Sequence, residues 1–238
     1  MKIEVYADAV AAAKAAAGFI ATQARVVAQG NRLFSMAVSG GRSPWLMLAE
    51  LARQDMPWKA LRIAQVDERV APLGDADRNL TNLRKSLQSA PLREEQLYPM
   101  PVDAADLPEA AAQYAATLSK IAGSPPVLDL VHLGLGPDGH TASLVPGDPV
   151  LEIADVDVAV TAPYQGRRRM TLTYPPLNRA KRVLWLVTGD EKAGMLVRLL
   201  KGDRSIPAGR VNHERAVVVA DRAAAAQLTS GDAAPSAP

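Results

Sequence analysis

Residues 128–149, LDLVHLGLGPDGHTASLVPGDP, run from an apolar segment into three glycines, Gly134, Gly136 and Gly139, spaced G-x-G-x-x-G. A dinucleotide loop with this spacing needs a helix that starts within the motif, because the pyrophosphate rests on that helix's N-terminal amides. Here Pro146 and Pro149 restrict any following helix to a turn or two, and Pro137 and Asp138 stand where backbone would approach the phosphates. A carboxylate in that place repels a pyrophosphate. Asp155 and Asp157 do fall about 20 residues further on, as a ribose-binding acid would, so the dinucleotide reading stays open as the alternative. The reading that decides the fold is a buried strand whose glycines turn sharply at its carboxyl end. They set Asp138 and His140 at the edge of a sheet, where open α/β sheets bind ligands.

Outward from this strand, apolar β-rich runs alternate with segments of helical period, the pattern of crossover units in a mostly parallel sheet. Residues 8–29 are alanine-rich and helix-favouring, and Gly30 ends them. LFSMAVSGG (33–41) reads as a strand running into glycines. SPWLMLAELAR (43–53) reads as a helix with Ser43 as N-cap and Pro44 at its first position. LRIAQVDER (61–69) reads as one strand, LTNLRKSLQ (80–88) and LPEAAAQYAATLSKIAG (107–123) as helices, and VLDLVHLGLG (127–136) as the buried strand. VDVAVTA, RRMTLT and RVLWLVTG follow as strands, then the helix EKAGMLVRLLKG and a last strand RAVVVAD. The expectation is one α/β domain over residues 1–229, doubly wound and Rossmann-like, with a mostly parallel sheet and helices on both faces. A small, polar, proline-containing tail over 230–238 reads as flexible, and the loop VAPLGDADRN (70–79) reads as a second mobile segment.

The 238 residues are 48% hydrophobic and 22% charged with ten aromatics, values of an ordinary globular domain. The absence of cysteine removes disulfide frameworks, thiol nucleophiles and cysteine-ligated zinc. The N-terminus MKIEVYADAV has neither the apolar core nor the cleavage site of a signal peptide, and no apolar run reaches membrane-spanning length. The chain therefore reads as cytoplasmic. A formal net charge of +2, without a basic block interleaved with aromatics, does not suggest nucleic acid.

Two further strand ends carry polar clusters. Ser39, Gly40, Gly41, Arg42 and Ser43 form a glycine-rich strand-to-helix turn, which exposes backbone N–H groups to an anion; an ordinary tight turn explains the segment equally well. Asp67, Glu68 and Arg69 follow the next strand and, taken alone, read as a solvated charge cluster. Three strand ends bearing glycines, acids and a histidine argue jointly for one site. Arg167, Arg168, Arg169 and Lys192 could close on an anionic group, and Lys192 sits in the first turn of its helix, where a cation is disfavoured unless an anion shares the place. His132 lies inside the apolar strand and reads as structural, whereas His213 carries no assignment.

Together, SGGRSP (39–44), VDERVAP (66–72), RNLTN (78–82), GLGPDGHTASLVP (134–146), RRMTLTYPPLNRA (168–180) and VTGDEKA (187–193) resemble the 6-phosphogluconolactonases of the glucosamine-6-phosphate isomerase/6-phosphogluconolactonase superfamily. The pieces stand in family order from residue 39 to 193. Val66, preceded by Gln65, stands where an aromatic and a glycine are usual, and Arg78 where a serine is usual, so the rim around the substrate is expected to depart from the family's. The resemblance implies hydrolysis of 6-phospho-D-glucono-1,5-lactone to 6-phosphogluconate without metal or organic cofactor, by a monomer or small homo-oligomer. It places His140 as general base, Asp138 as its holder or as a polariser of water, and Arg69 at the carbonyl or oxyanion. Asp67 joins them in the catalytic set, and Ser39, Gly40, Gly41, Arg42, Ser43, Arg169 and Lys192 hold the 6-phosphate.

Two other functions compete. A glucosamine-6-phosphate deaminase or isomerase shares the Asp-Gly-His loop but continues into a run with a glutamate, whereas TASLVP (141–146) has no carboxylate. A non-catalytic sugar-phosphate sensor of this fold would carry a DNA-binding helix-turn-helix ahead of it, and the chain opens almost directly on its first element.

Overall fold

A computed structural model describes residues 1–229; the tail read over 230–238 lies outside the described residues. Ten strands and six α-helices follow in chain order: β1 (Lys2–Tyr6), α1 (Ala9–Gln29), β2 (Phe34–Val38), α2 (Arg42–Leu51), β3 (Leu61–Gln65), β4 (Asp67–Arg69), α3 (Asn79–Ser86), β5 (Leu97–Tyr98), α4 (Leu107–Ala122), β6 (Leu130–Leu133), β7 (Val158–Val160), β8 (Arg169–Leu172), α5 (Tyr174–Arg179), β9 (Val183–Val187), α6 (Ala193–Leu200) and β10 (Ala216–Asp221). Seven strands form an all-parallel sheet in the order β1-β10-β9-β6-β2-β3-β5. No helix among the described residues is long and apolar enough to cross a membrane.

The two faces of the sheet follow from the two-residue period of a strand. Phe34, Met36 and Val38 of β2, Leu61 and Ile63 of β3, and Leu184 and Leu186 of β9 pack into one core with the alanines of α1 and with Leu48 and Leu51 of α2. Ala37, Ala64, Val131, Leu133, Val183 and Trp185 point the other way, into a second core with Ala110, Tyr114 and Leu118 of α4 and Leu196 and Leu199 of α6. The six buried alanines of α1 let this long helix lie close to its neighbours, and the Asp8 carboxylate caps its start by accepting the Ala11 amide at 2.8 Å. The strands are apolar on both sides because both sides are covered. After β2 the chain crosses by α2 on one face, and after β6 it continues on the other. The adjacent carboxyl ends of β2 and β6 therefore flank the switch point, where open sheets hold their ligands.

The structure corrects the sequence reading in four places. LRIAQVDER is two strands in two sheets: β4 leaves the main sheet and joins a three-stranded antiparallel sheet, β4-β8-β7. Val66 is the joint, since its N–H donates to Val38 of the main sheet (3.0 Å) while its carbonyl accepts from Leu172 of β8 (2.8 Å). Helix α2 begins at Arg42 with Gly41 as its N-cap, and Ser43 makes no cap bond; the backbone at Gly41 has φ +127°, which a side chain rarely adopts, so the glycine fixes the start. The segment after the glycine motif, by contrast, is as short as read, a single 3₁₀ turn at Pro149–Glu152. Finally, β1, β5 and α5 are additional elements. The loop read as mobile, 70–79, is tied down: Arg167 pairs with Asp75 (3.3 Å) and Asp77 (3.1 Å), and Arg69 Nη1 donates to the Asp77 carbonyl at 2.7 Å.

Candidate active site

A cleft of about 640 Å³ opens over the carboxyl ends of β2, β6, β9 and β10, with the small sheet as its far wall. It collects every residue of the polar clusters at the first three strand ends except Glu68 and Asp138, together with Arg169 and Lys192. Ser39 to Ser43, Asp67, Arg69, His140, Arg169 and Lys192 all line it. Asp138 stands directly behind His140.

The glycine loop sets the histidine. Gly136 passes so close under the His140 ring that a Cβ there would overlap Nδ1 and Cε1. The Gly136 N–H donates to the His140 carbonyl at 2.8 Å, closing the loop on itself. Asp138 Oδ1 lies 2.5 Å from His140 Nδ1 and accepts the His140 backbone N–H at 3.1 Å. Burial opposes ionisation of Asp138, but the His140 N–H and imidazole outweigh it and hold the carboxyl below its ordinary range. An ionised carboxylate only accepts, so the proton of a neutral imidazole sits on Nδ1 and the lone pair on Nε2.

Two pairs of cations flank this couple. On the glycine-turn side, Arg42 opens α2 and Lys192 precedes α6. Burial pulls the Lys192 ammonium below its usual range and Arg42 adds to this, while Glu191, at 3.9 Å, and Asp221 partly restore it. The first amides of α2 lack partners within the helix, as at any helix start. Ser43 Oγ hydrogen-bonds Thr188 Oγ1, tying α2 to the end of β9. On the far wall, Arg69 and Arg169 stand directly opposite each other across β4 and β8. Arg169 is only 5% exposed, and its Nε has no hydrogen-bond partner among the described residues. Burial, reinforced by Arg69, lowers its pKa, and Asp67 works against this.

Asp67 is held by Ser143 Oγ at 2.6 Å. Glu68 is consumed structurally: its two oxygens accept the amides of Asn79 (2.7 Å) and Leu80 (2.8 Å) at the start of α3, which orients Asn79 toward the cleft. The unusual Val66 and Arg78 are both fully buried and do not form the rim; Arg78 reaches the Ala71 carbonyl and Asp103 instead. Of the three consecutive arginines only Arg169 faces the cleft, Arg167 being paired with Asp75 and Asp77 and Arg168 turned to the Thr161 carbonyl. His132 is fully buried, as the sequence reading had it, and His213 lies beyond the opposite edge, before β10, half-buried beside Gly202. No group of three or more His, Cys, Asp or Glu side chains among the described residues is arranged to hold a metal ion.

The sequence reading missed Tyr164 and Gln165. They sit at the tip of the β7–β8 hairpin, where Gln165 and Gly166 both have positive φ (52° and 78°) in a two-residue turn closed by Tyr164 and Arg167. Tyr164 OH donates to Asp138 Oδ2 at 3.3 Å, and its ring meets His140 edge-on with centroids 5.8 Å apart. The Arg169 guanidinium lies 4.9 Å from the ring centroid, and its Nη2 donates to Gln165 Oε1 at 3.3 Å. The Gln-Gly pair between two short apolar runs was the one available signal.

Residues 7–220 match the family model described as glucosamine-6-phosphate isomerases/6-phosphogluconolactonase. The chain is 34% identical over 245 residues to a 6-phosphogluconolactonase of Mycobacterium tuberculosis, covering 96% of this chain and 98% of the relative. A crystal structure of 6-phosphogluconolactonase from Thermotoga maritima superposes with a TM-score of 0.82 at 27% identity, over 92% of this chain and 98% of that one. A monomeric glucosamine-6-phosphate deaminase superposes equally well, TM-score 0.82 over 95% and 99%, but at 18% identity, a likeness of fold alone.

Proposed function

The chain belongs to the glucosamine-6-phosphate isomerase/6-phosphogluconolactonase family, and from that premise we propose that it hydrolyses 6-phospho-D-glucono-1,5-lactone to 6-phospho-D-gluconate, the lactonase step of the oxidative pentose phosphate pathway. The observation that carries the reading is the Asp138–His140 couple at the edge of a cation-lined cleft. A δ-lactone is an activated ester, so the reaction asks for a positioned water, a base and stabilisation of the charge that develops on the carbonyl oxygen. His140 Nε2 takes a proton as the water oxygen bonds to C1, with Asp138 holding the ring and balancing the imidazolium. Arg69 faces the oxyanion, and Asp67 orients the polar groups beside it. Collapse of the tetrahedral adduct breaks the bond from C1 to the ring oxygen, which recovers the proton from His140. The glycine turn Ser39–Ser43, including Gly40, Gly41 and Arg42, grips the 6-phosphate with Lys192, and Arg169 closes from the far wall. Protein groups alone supply this chemistry.

The absence of an acidic side chain in residues 141–146 favours the lactonase over a deaminase. The proposed setting is the cytoplasm, as a monomer or small homo-oligomer, with neither nucleic acid nor membrane as partner. The test is lactone hydrolysis coupled to 6-phosphogluconate dehydrogenase and compared with spontaneous hydrolysis in the same buffer. A clear rate above the blank is expected, and a rate equal to it overturns the reading.

A further inference from the structure

Asp138 has two carboxylate oxygens, and the His140 couple uses only Oδ1. Oδ2 is occupied by the hydroxyl of Tyr164, 26 residues away on the tip of the β7–β8 hairpin. The same aromatic ring meets the His140 imidazole with its planes at 63° and carries the Arg169 guanidinium on its face. The neighbouring Gln165 takes one of the arginine's N–H groups. A single dipeptide thus touches both members of the base couple and the buried cation of the far wall. Without Tyr164, Asp138 would be anchored only by bonds within its own loop, and the Arg169 guanidinium would keep only its bond to Gln165.

Building on the lactonase reading, we infer that Tyr164 is a positioning residue that sets the Asp138–His140 base against the anion-holding Arg169. Its effect on the base has a definite sign. A hydroxyl donating to Oδ2 draws negative charge away from the carboxylate, so the carboxylate holds the imidazolium less tightly. Losing that donor leaves more negative charge facing the ring, which favours the imidazolium that forms during the reaction. Around the couple stand Arg169 on the hairpin, Asp67 and Arg69 on β4, and Glu191 and Lys192 after β9. Among the described residues, only Tyr164 and His140 itself hydrogen-bond the Asp138 side chain. The two contacts of Tyr164 also separate by substitution, because Phe keeps a ring for Arg169 and His140 but has no hydroxyl, whereas Leu has neither.

The experiment compares Tyr164→Phe and Tyr164→Leu with wild type in steady-state lactone hydrolysis across pH. For Tyr164→Phe the expected result is a fall in kcat of roughly two- to tenfold, the span of one hydrogen bond. KM should stay near native, and the lower limb of the kcat/KM profile should move to higher pH. For Tyr164→Leu a raised KM is added, since Arg169 has lost its aromatic support. A Phe variant with native kcat and an unmoved lower limb overturns the inference. So does a fall in kcat with no movement of the limb, which is what loosened packing alone would give. Imidazole ¹⁵N spectra of His140 give a readout independent of turnover: the balance of its two N–H tautomers should differ between wild type and Tyr164→Phe, and identical spectra overturn the inference. An inactive wild type with different spectra would instead overturn the lactonase reading and leave the positioning role standing.

Discussion

Protein stability should fall between pH 7 and pH 5 because of a histidine outside the active site. His132, in the middle of β6, is fully buried, and neither ring nitrogen has a hydrogen-bond partner among the described residues. Burial alone pushes its pKa down from 6.5 to about 3. The folded protein thus keeps the ring neutral at pH 5, while the unfolded chain binds a proton below about pH 6.5. Where the unfolded state binds more protons, stability drops as pH falls. The loss begins near pH 6.5 and continues until the folded-state value near 3 is reached. At 1.36 kcal/mol per pH unit, the part incurred between pH 7 and pH 5 is about 2 kcal/mol. In a domain of this size that is a drop in Tm of roughly 4–8 °C. The register partners of His132 are Val38 and Leu184, so His132→Leu suits the site in shape and polarity. Urea or thermal denaturation of both proteins at several pH values from 7 to 5 is the assay. The wild type should lose about 2 kcal/mol more than the variant over that interval. Carboxylates and the other two histidines titrate in both proteins and cancel in the difference, so parallel stability curves would refute the reasoning. The consequence reaches the cleft, because the His132 carbonyl accepts both the N–H (3.2 Å) and the Oγ (3.1 Å) of Ser39 at the start of the glycine turn.

His140→Ala should fold normally and lose roughly 10²- to 10⁴-fold in kcat, the usual contribution of general-base assistance; near-native turnover would remove His140 from the mechanism. Lys192→Ala and Arg169→Ala should chiefly raise KM, with some loss of kcat because remote binding energy helps to orient the lactone. Native KM and kcat/KM in both would end the phosphate assignment. In thermal-shift measurements 6-phosphogluconate should raise Tm in a concentration-dependent way, beyond inorganic phosphate, while NAD or NADP does little. A shift with either dinucleotide and none with the sugar acid would restore the dinucleotide reading of Gly134, Gly136 and Gly139.

The parts of the fold legible in the sequence are those written in local backbone chemistry. β2, β6 and β9 announce themselves as apolar runs that end in glycine, and α1 and α4 as periodic segments that start at Asp8 and Asp106 and stop at Gly30 and Gly123. The glycine spacing at 134–139 makes the position of Asp138 and His140 beyond the carboxyl end of β6 legible, because the turn itself sets them there. The small sheet was illegible for the opposite reason. No turn residue separates β3 from β4, and the change of sheet at Val66 is decided by bonds to Val38 and Leu172, which are remote in sequence. Tyr164 was missed on the same account, since its meaning lies in Asp138, His140 and Arg169, none of them its neighbours in the chain. Choosing among the three arginines also needed the partners of the other two.

Arg69 and Arg169 show where the rules of strand pairing give way. Like charges directly opposite each other on antiparallel strands are destabilising, by a magnitude of roughly 0.2–1 kcal/mol, and nothing in the packing of β4 against β8 requires two arginines there. Arg69 finds the Asp77 carbonyl, whereas Arg169 is almost entirely buried with an unpartnered Nε, an arrangement that adds desolvation to repulsion. A fold that keeps a local rule everywhere along its seven parallel strands and breaks it at the wall of its cleft is expressing a demand of the site rather than of stability. On the proposed roles, the substrate phosphate against Arg169 and the developing oxyanion against Arg69 would each set an opposite charge beside one of the two cations, and the phosphate would supply the acceptor that the Arg169 Nε lacks. On that proposal, binding would begin from cations that folding has already placed, with Arg169 already largely stripped of water.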